Sequence, residues 1–304
     1  MQGFLNLDKP LGLTSHDCVA RVRRSLRLKR VGHGGTLDPA ASGVLPIALG
    51  RATRLLQYLP SDKAYQATIR FGVQTATDDL EGDVLAVHPV PWLTQAAVVE
   101  ELAQFQGRIQ QIPPSYSAIQ VDGRRLYDLA RAGQAIEAPV RTVEVYQIQV
   151  LGWRSGEFPE VDLAIACGAG TYIRAIARDL GSVLQTGGTL AALRRTKSSG
   201  FDLSTSLTLE DLAEQVQQEI FHPLPPEMVL THLPIAQLEG DQARRWCQGQ
   251  KVAIAPEAVP ADFNPEHQTV YRMMRDDGVF LGIAEPQQIE GIWHWVSKLV
   301  FEPA

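Results

Sequence analysis

The stretch Gly32-His33-Gly34-Gly35-Thr36-Leu37-Asp38-Pro39-Ala40-Ala41-Ser42-Gly43 decides how this chain is read. It sets one carboxylate, Asp38, among glycines, where the backbone can turn sharply and approach another molecule closely. A carboxylate is a competent nucleophile when a neighbouring cation keeps it ionised and water is kept away. The same residues also describe an ordinary surface turn, because Asp-Pro and glycine are turn formers. What favours chemistry is the company: His33 lies within the stretch, and Gly50-Arg51-Ala52-Thr53-Arg54 follows shortly after.

Working outward, 304 residues with 45% hydrophobic content suffice for one large domain and a small one. No run of about 18 apolar residues occurs, so no membrane-spanning segment is expected. The N-terminal Met1-Gln2-Gly3-Phe4-Leu5-Asn6-Leu7-Asp8-Lys9-Pro10 lacks the basic and apolar regions of a signal peptide. Cys18, Cys167 and Cys247 are odd in number and far apart, which points to buried thiols in a reducing cytoplasm. The seven histidines show no ligand spacing with one another or with the cysteines, so no metal site is expected. A phosphate-binding loop of the G-x-x-x-x-G-K-[ST] type is also missing.

The net charge of −6 is unevenly spread. Arg21, Arg23, Arg24, Arg27, Lys29 and Arg30 precede the Asp38 stretch, Arg51 and Arg54 follow it, and acidic residues collect towards the C-terminus. A one-signed cluster beside a candidate site fits a phosphate-binding face, which salt would weaken steeply. A solvated helix face is the other explanation.

Periodicity and capping give the elements. Thr14 or Ser15 caps a helix to about Leu26, Thr94 opens one to about Phe105, and another runs from Thr171 to about Leu184. Alternating strands are read over 64–71, 142–150 and 160–167. Strands scattered among helices without a βαβ rhythm predict an α+β fold, with a mixed, largely antiparallel central sheet and flanking helices. Residues 109–140, with Pro113-Pro114, two tyrosines and a basic run, read as an excursion from that sheet, either a mobile element closing on RNA or a plain hairpin and helix. A Pro-rich linker, His222-Pro223-Leu224-Pro225-Pro226, precedes a small strand-rich unit.

The Asp38 stretch resembles the motif G-H-x-G-x-L-D-P-x-A-x-G of bacterial tRNA pseudouridine synthases of the TruB type, which modify uridine 55 in the T-loop; every fixed position is matched. Cys167-Gly168-Ala169-Gly170-Thr171-Tyr172-Ile173-Arg174 is similar to the family's C-S-x-G-T-Y-I-R, with Gly168 where serine is common. Lys63-Ala64-Tyr65, Leu193-Arg194-Arg195-Thr196 and Asn6-Leu7-Asp8-Lys9-Pro10 match further motifs, so the resemblance covers roughly residues 1 to 200.

The resemblance implies the pseudouridine synthase fold, with a catalytic domain over 1–222, an RNA-clamping insertion at about 109–140 and a PUA-like C-terminal domain over 230–304. It implies an isomerase that flips uridine 55 out of the tRNA T-loop and converts it to pseudouridine, with Asp38 as nucleophile and no cofactor. Asp38 could attack uracil carbon 6, attack the sugar C1′, or take a sugar proton to give a glycal. Arg174 would hold Asp38, and Tyr65 would stack on the uracil while its hydroxyl assists proton removal; a cross-strand packing tyrosine is the plain alternative. Tyr172 would contact substrate, Leu193 would cover the uracil or simply belong to the core, and His33 would fill space in the T-loop. Arg194 and Arg195 would meet phosphate or buttress the sheet, and Lys9-Pro10 would buttress the catalytic loop. The partner implied is tRNA, with no membrane and no obligatory protein partner, and the protein is expected to be a cytoplasmic monomer. Two other readings are a guide-RNA-dependent relative within a ribonucleoprotein and a non-catalytic tRNA-binding or folding factor.

Overall fold

A computed structural model describes residues 1–114, 120–121, 124–125, 138–255 and 269–301 of the chain. The first unit is a nine-stranded mixed sheet. Its strands are β1 (Gly3–Lys9), β2 (Val31–His33), β3 (Ala41–Leu49), β4 (Lys63–Phe71), β7 (Gly107–Gln111), β10 (Arg141–Arg154), β11 (Glu160–Cys167), β12 (Gly188–Ser198) and β13 (Phe201–Asp202). The main path runs β1-β3-β12-β4-β11-β10-β7. Every pairing along it is antiparallel except β3 with β12, which brings Ala41 opposite Leu193 and Gly43 opposite Arg195. Between these lie two short ribbons, β5 (Val73–Thr75) with β6 (Val84–Val87) and β8 (Gln120–Val121) with β9 (Arg124–Arg125). Most of the proposed clamp at 109–140 lies outside the described residues.

Helices flank this sheet, and their ends follow from local chemistry. Helix α1 (Ser15–Ser25) starts at a capping box in which the Thr14 hydroxyl accepts from the Asp17 amide and the Asp17 carboxylate accepts from that of Thr14. Its buried Cys18, Val19 and Val22 pack on β1 and β3, while Arg21, Arg23 and Arg24 point outward. Helix α2 (Gln95–Leu102) is capped by Thr94, and helix α3 (Ile173–Val183) buries Ile173, Ile176, Ala177 and Leu180 against β4 and β12. A second capping box, Thr208 with Asp211, opens α4 (Leu209–Gln217).

The chain then passes a short helix, α5 (Pro226–Val229), into a five-stranded sheet ordered β14 (Ile235–Leu238), β16 (Tyr271–Arg275), β17 (Phe280–Ile289), β18 (Ile292–Val300) and β15 (Val252–Ala253), with α6 (Gly240–Cys247) beside it. This β-rich unit joins the first through a shared core of Phe4, Ala48, Leu55, Ile283, Leu299 and Phe301. Arg51 and Arg54 have a part in that junction. Their guanidiniums donate to the Phe301 carbonyl at 3.0 Å and the Val300 carbonyl at 3.4 Å, so these exposed arginines tie the two units instead of simply extending the basic cluster. Among the described residues, no helix is long and apolar enough to cross a membrane. Cys18 and Cys167 are buried free thiols, whereas Cys247 is only half-buried.

Candidate active site

Asp38 lies in the irregular loop joining β2 to β3, and that loop is pinned along its length. The Gly34 amide donates to the Pro46 carbonyl and the Gly12 amide to that of Pro39, each at 2.8 Å. Leu37 is buried in the core, and its amide donates to Ser15 Oγ at 2.8 Å while its carbonyl accepts from the same hydroxyl at 3.1 Å. Arg195, fully buried, donates from Nε to the Val44 carbonyl at 2.7 Å, from Nη1 to that of Thr36 at 3.3 Å and from Nη2 to that of Gly35 at 3.2 Å. Of the two roles left open for Arg195, buttressing is the one its burial permits. Arg194 instead pairs with Asp8 at 2.7 Å. The Lys9 amine donates to the Pro10 and Leu13 carbonyls, stiffening the loop that includes Gly12.

Arg174 approaches from the first turn of α3. Thr171 Oγ1 donates to the Gly168 carbonyl at 3.1 Å, and the buried Gln111 amide brackets the backbone of Tyr172, so the entry to the helix is rigid. A Cβ at Gly168 would stand 3.1 Å from the Tyr146 hydroxyl, which donates to Asp62; glycine replaces the usual serine where this tyrosine crowds the turn. Arg174 itself is buried, with Nη2 3.0 Å from Asp38 Oδ2 and Nη1 3.5 Å from Asp79 Oδ2. Nη1 also donates to the Thr77 carbonyl at 3.0 Å. The Asp38 side chain, by contrast, is 42% exposed, so a buried cation holds a carboxylate that reaches outward.

Asp79 is a site residue that sequence reasoning missed. It sits between β5 and β6, is buried, and accepts from Thr77 Oγ1 and from the Glu81 amide. The signal available was the acidic pair Asp78-Asp79, whose first member is paired with Arg178 at 2.9 Å. Burial raises the Asp78 carboxyl above its ordinary range, against the pull of Arg178 and Arg174.

Asp38, Asp79, Arg174, Leu80, Leu190 and Leu193 line a narrow cleft of about 40 Å³, together with Glu81 and alanines 40, 41, 191 and 192. Leu193 is half-buried and is one of the residues on the cleft wall. Tyr65 is not on that wall; it lies buried directly across from Arg195 on the neighbouring strand, close enough for the guanidinium charge to act on its phenol. Burial pushes the phenol up to about 12 despite the Arg195 charge, so it is neutral near pH 7. His33 ends β2, half-buried, with His16 edge-on at 5.3 Å and its Nδ1 facing the Gly35 amide. Burial, followed by the neighbouring His16, lowers its imidazole below the usual range. Tyr172 caps α3 two residues from Arg174 but is not a wall of the cleft. Among the described residues, no group of three or more His, Cys, Asp or Glu side chains is arranged to hold a metal ion.

Residues 23–173 match the description "TruB family pseudouridylate synthase (N terminal domain)". Residues 174–226 match "tRNA pseudouridylate synthase B C-terminal domain", and 234–293 match "Pseudouridine synthase II TruB, C-terminal". The chain is 60% identical over 303 residues to tRNA pseudouridine synthase B of Trichormus variabilis, covering 100% of this chain and 99% of that one. It is 59% identical over 303 residues, with the same coverage, to the protein of that name from Nostoc sp.. Among solved structures, a Cbf5-Nop10-Gar1 complex matches at TM-score 0.73 and 29% identity, over 99% of this chain and 85% of that one. An H/ACA RNP bound to a substrate RNA containing 2′-deoxyuridine matches at TM-score 0.72 and 27% identity, over 99% and 86%. With relatives this similar along its whole length, and with Asp38 and Arg174 paired inside the matched region, the chain belongs to the TruB family of pseudouridine synthases.

Proposed function

We propose that this protein converts uridine 55 of the tRNA T-loop to pseudouridine, with Asp38 as the nucleophile and no cofactor. The observation that carries the reading is the pairing of a half-exposed Asp38 with the buried Arg174 at the mouth of a cleft. A bidentate-capable guanidinium fixes the direction of the carboxylate, which is what attack on a single atom requires.

The target uridine is stacked within a folded loop, so it must be flipped out at a cost of a few kcal/mol. The cleft of about 40 Å³ is far below the roughly 300 Å³ of a small-molecule pocket. The cleft adjoins a larger cavity of about 430 Å³ along Ala40, Ala191, Ala192 and Leu193, and its exposed walls are Leu80, Glu81 and Ala192. The N1–C1′ bond breaks, the uracil rotates, carbon 5 bonds to C1′, and the proton leaving carbon 5 is balanced by one gained at N1. Attack at carbon 6, attack at C1′ and the glycal route all satisfy this balance. Tyr65, as a neutral phenol, is suited to pack and donate; it accepts a proton only if its own leaves at the same time. Arg174 orients Asp38, Leu193 covers the base, and His33 and Tyr172 contact the loop around it.

In this reading residues 1–222 form the catalytic domain and 230–304 a PUA-like RNA-binding appendage. The protein acts alone, as a cytoplasmic monomer. Support for tRNA as the substrate comes from the relatives named tRNA pseudouridine synthase B, which are about twice as identical to this chain as the Cbf5 structures are. The test is pseudouridine mapping on unmodified tRNA transcript incubated with the purified protein alone, wild type against Asp38→Ala, with binding measured in parallel. Conversion at uridine 55 by wild type only, with binding kept by the variant, supports the proposal. Tight binding without conversion by either protein turns the reading to a guide-dependent enzyme or a binding factor.

A further inference from the structure

We infer that Ser15 is a positioning residue for the reaction, acting through the peptide that leads into Asp38; this rests on the functional reading above. Ser15 is almost wholly buried, and its hydroxyl is committed twice to one residue, accepting from the Leu37 amide at 2.8 Å and donating to the Leu37 carbonyl at 3.1 Å. The first bond fixes the peptide plane before Leu37 and the second fixes the plane between Leu37 and Asp38. With both planes held and the Leu37 side chain buried, the backbone entering Asp38 has little freedom left, and so neither has the direction of its Cα–Cβ bond.

Other ties hold the same loop: the Ala41 amide donates to the Asp38 carbonyl at 3.0 Å, and Arg195 reaches the peptide plane that carries the Leu37 amide, whereas Ser15 holds both planes that flank Leu37. Arg195 holds the carbonyls of Gly35 and Thr36, and Gly12 holds that of Pro39. Ser15 is itself well anchored. Thr14 and Asp17 lock the helix start, and Cys18, Val19 and Val22 bury the helix in the core. The same turn braces the other end of the segment, where the His16 ring stands edge-on to His33. The first turn of α1 is in effect the jig on which the Asp38 loop is set. A hydroxyl is not needed to cap this helix, because Thr14 does so, and this separates the proposed role from ordinary helix chemistry.

The experiment measures single-turnover pseudouridine formation at saturating protein, tRNA affinity, and amide hydrogen exchange, for wild type, Ser15→Ala and Ser15→Thr. Ser15→Ala leaves the Leu37 amide and carbonyl without their partner. The expected rate loss is on the order of 10²-fold, the scale of a misplaced reacting group, with tRNA affinity kept. Ser15→Thr retains the hydroxyl and is expected to recover most of the rate. In Ser15→Ala, exchange is expected to quicken across residues 35–41 while the body of α1 stays protected. Three results overturn the proposal: an unchanged rate in Ser15→Ala, a loss of affinity alone, or equal slowing in both variants. Exchange quickening through all of α1 also overturns it, since the hydroxyl would then serve the fold and not the loop. If wild type forms no pseudouridine, the functional reading fails separately, and the exchange comparison still decides whether Ser15 holds the loop.

Discussion

Arg174 reaches Asp38 with one guanidinium nitrogen, at 3.0 Å, and turns the other towards Asp79, at 3.5 Å. The arginine is buried while Asp38 is 42% exposed, so the cation is part of the protein interior and the carboxylate is part of the cleft. Asp79 and the Thr77 carbonyl hold one arm of the fork from behind, while the other arm meets the Asp38 carboxylate.

Asp38→Asn keeps the size and shape of the side chain but removes the carboxylate that we propose as the nucleophile. Conversion of tRNA transcript is expected to fall by at least about 10³-fold, as for other catalytic nucleophiles, while binding of the transcript is retained. Rapid-mix single-turnover assays beside filter binding check this. A variant that turns over at more than a tenth of the wild-type rate (about 1.4 kcal/mol in the barrier) rules out Asp38 as the nucleophile.

Arg174→Ala strips a buried carboxylate, Asp79, of its cation. Breaking a buried pair this way costs about 3–5 kcal/mol, so denaturant midpoints are expected to drop along with the rate. Adding Asp79→Ala should restore part of the stability and none of the activity, because the uncompensated charge goes but Asp38 remains unheld. If the double variant is no more stable than Arg174→Ala, the Arg174–Asp79 contact at 3.5 Å carries no structural weight.

The parts of this site that were legible in the sequence are those encoded locally. The loop around Asp38 announces itself by its glycines, Thr14 or Ser15 marks the start of α1, and the turn after Cys167 puts Arg174 in the first turn of a helix. Asp79 was not legible, because its partner is far along the chain and an acidic turn reads as solvated surface. The depth of Arg195 was hidden for a related reason. Two adjacent arginines on one strand face opposite ways, and only the parallel pairing of β3 with β12 shows that Arg195 runs under the loop while Arg194 meets Asp8. Arg51 and Arg54 read as phosphate ligands until the C-terminal strand supplies carbonyls for them.

Tyr65 makes a prediction about pH. Its phenol ionises at about 12 in the folded protein, against 10.0 as its ordinary value. Below pH 10 both folded and unfolded chains keep the proton, and the stability from this burial is complete. Between about pH 10 and 12 the unfolded chain releases the proton first, so stability falls as pH rises through that window. Tyr65→Phe has no proton to lose, so its melting temperature is expected to decline less steeply than wild type over the same range. Parallel slopes for the two proteins would contradict the burial argument.

Gly43 tests the seam between β3 and β12, on which the site is built. It sits opposite Arg195 with φ +105°, and a Cβ there would stand 2.2 Å from the Arg195 carbonyl oxygen and 2.8 Å from its amide nitrogen. Neither atom can yield without moving the strand that carries Leu193 and Arg195. Gly43→Ala is therefore expected to cost more than about 4 kcal/mol, the range of a steric clash in a core, and to abolish activity with it. Gly12 provides the control: its φ is +79°, but nothing lies within 4 Å of an added Cβ. Gly12→Ala should cost only the backbone strain of a left-handed residue, about 1–2 kcal/mol. Urea unfolding of both variants reads the difference directly, and equal midpoints would mean that close approach of the two strands is not what requires glycine at position 43.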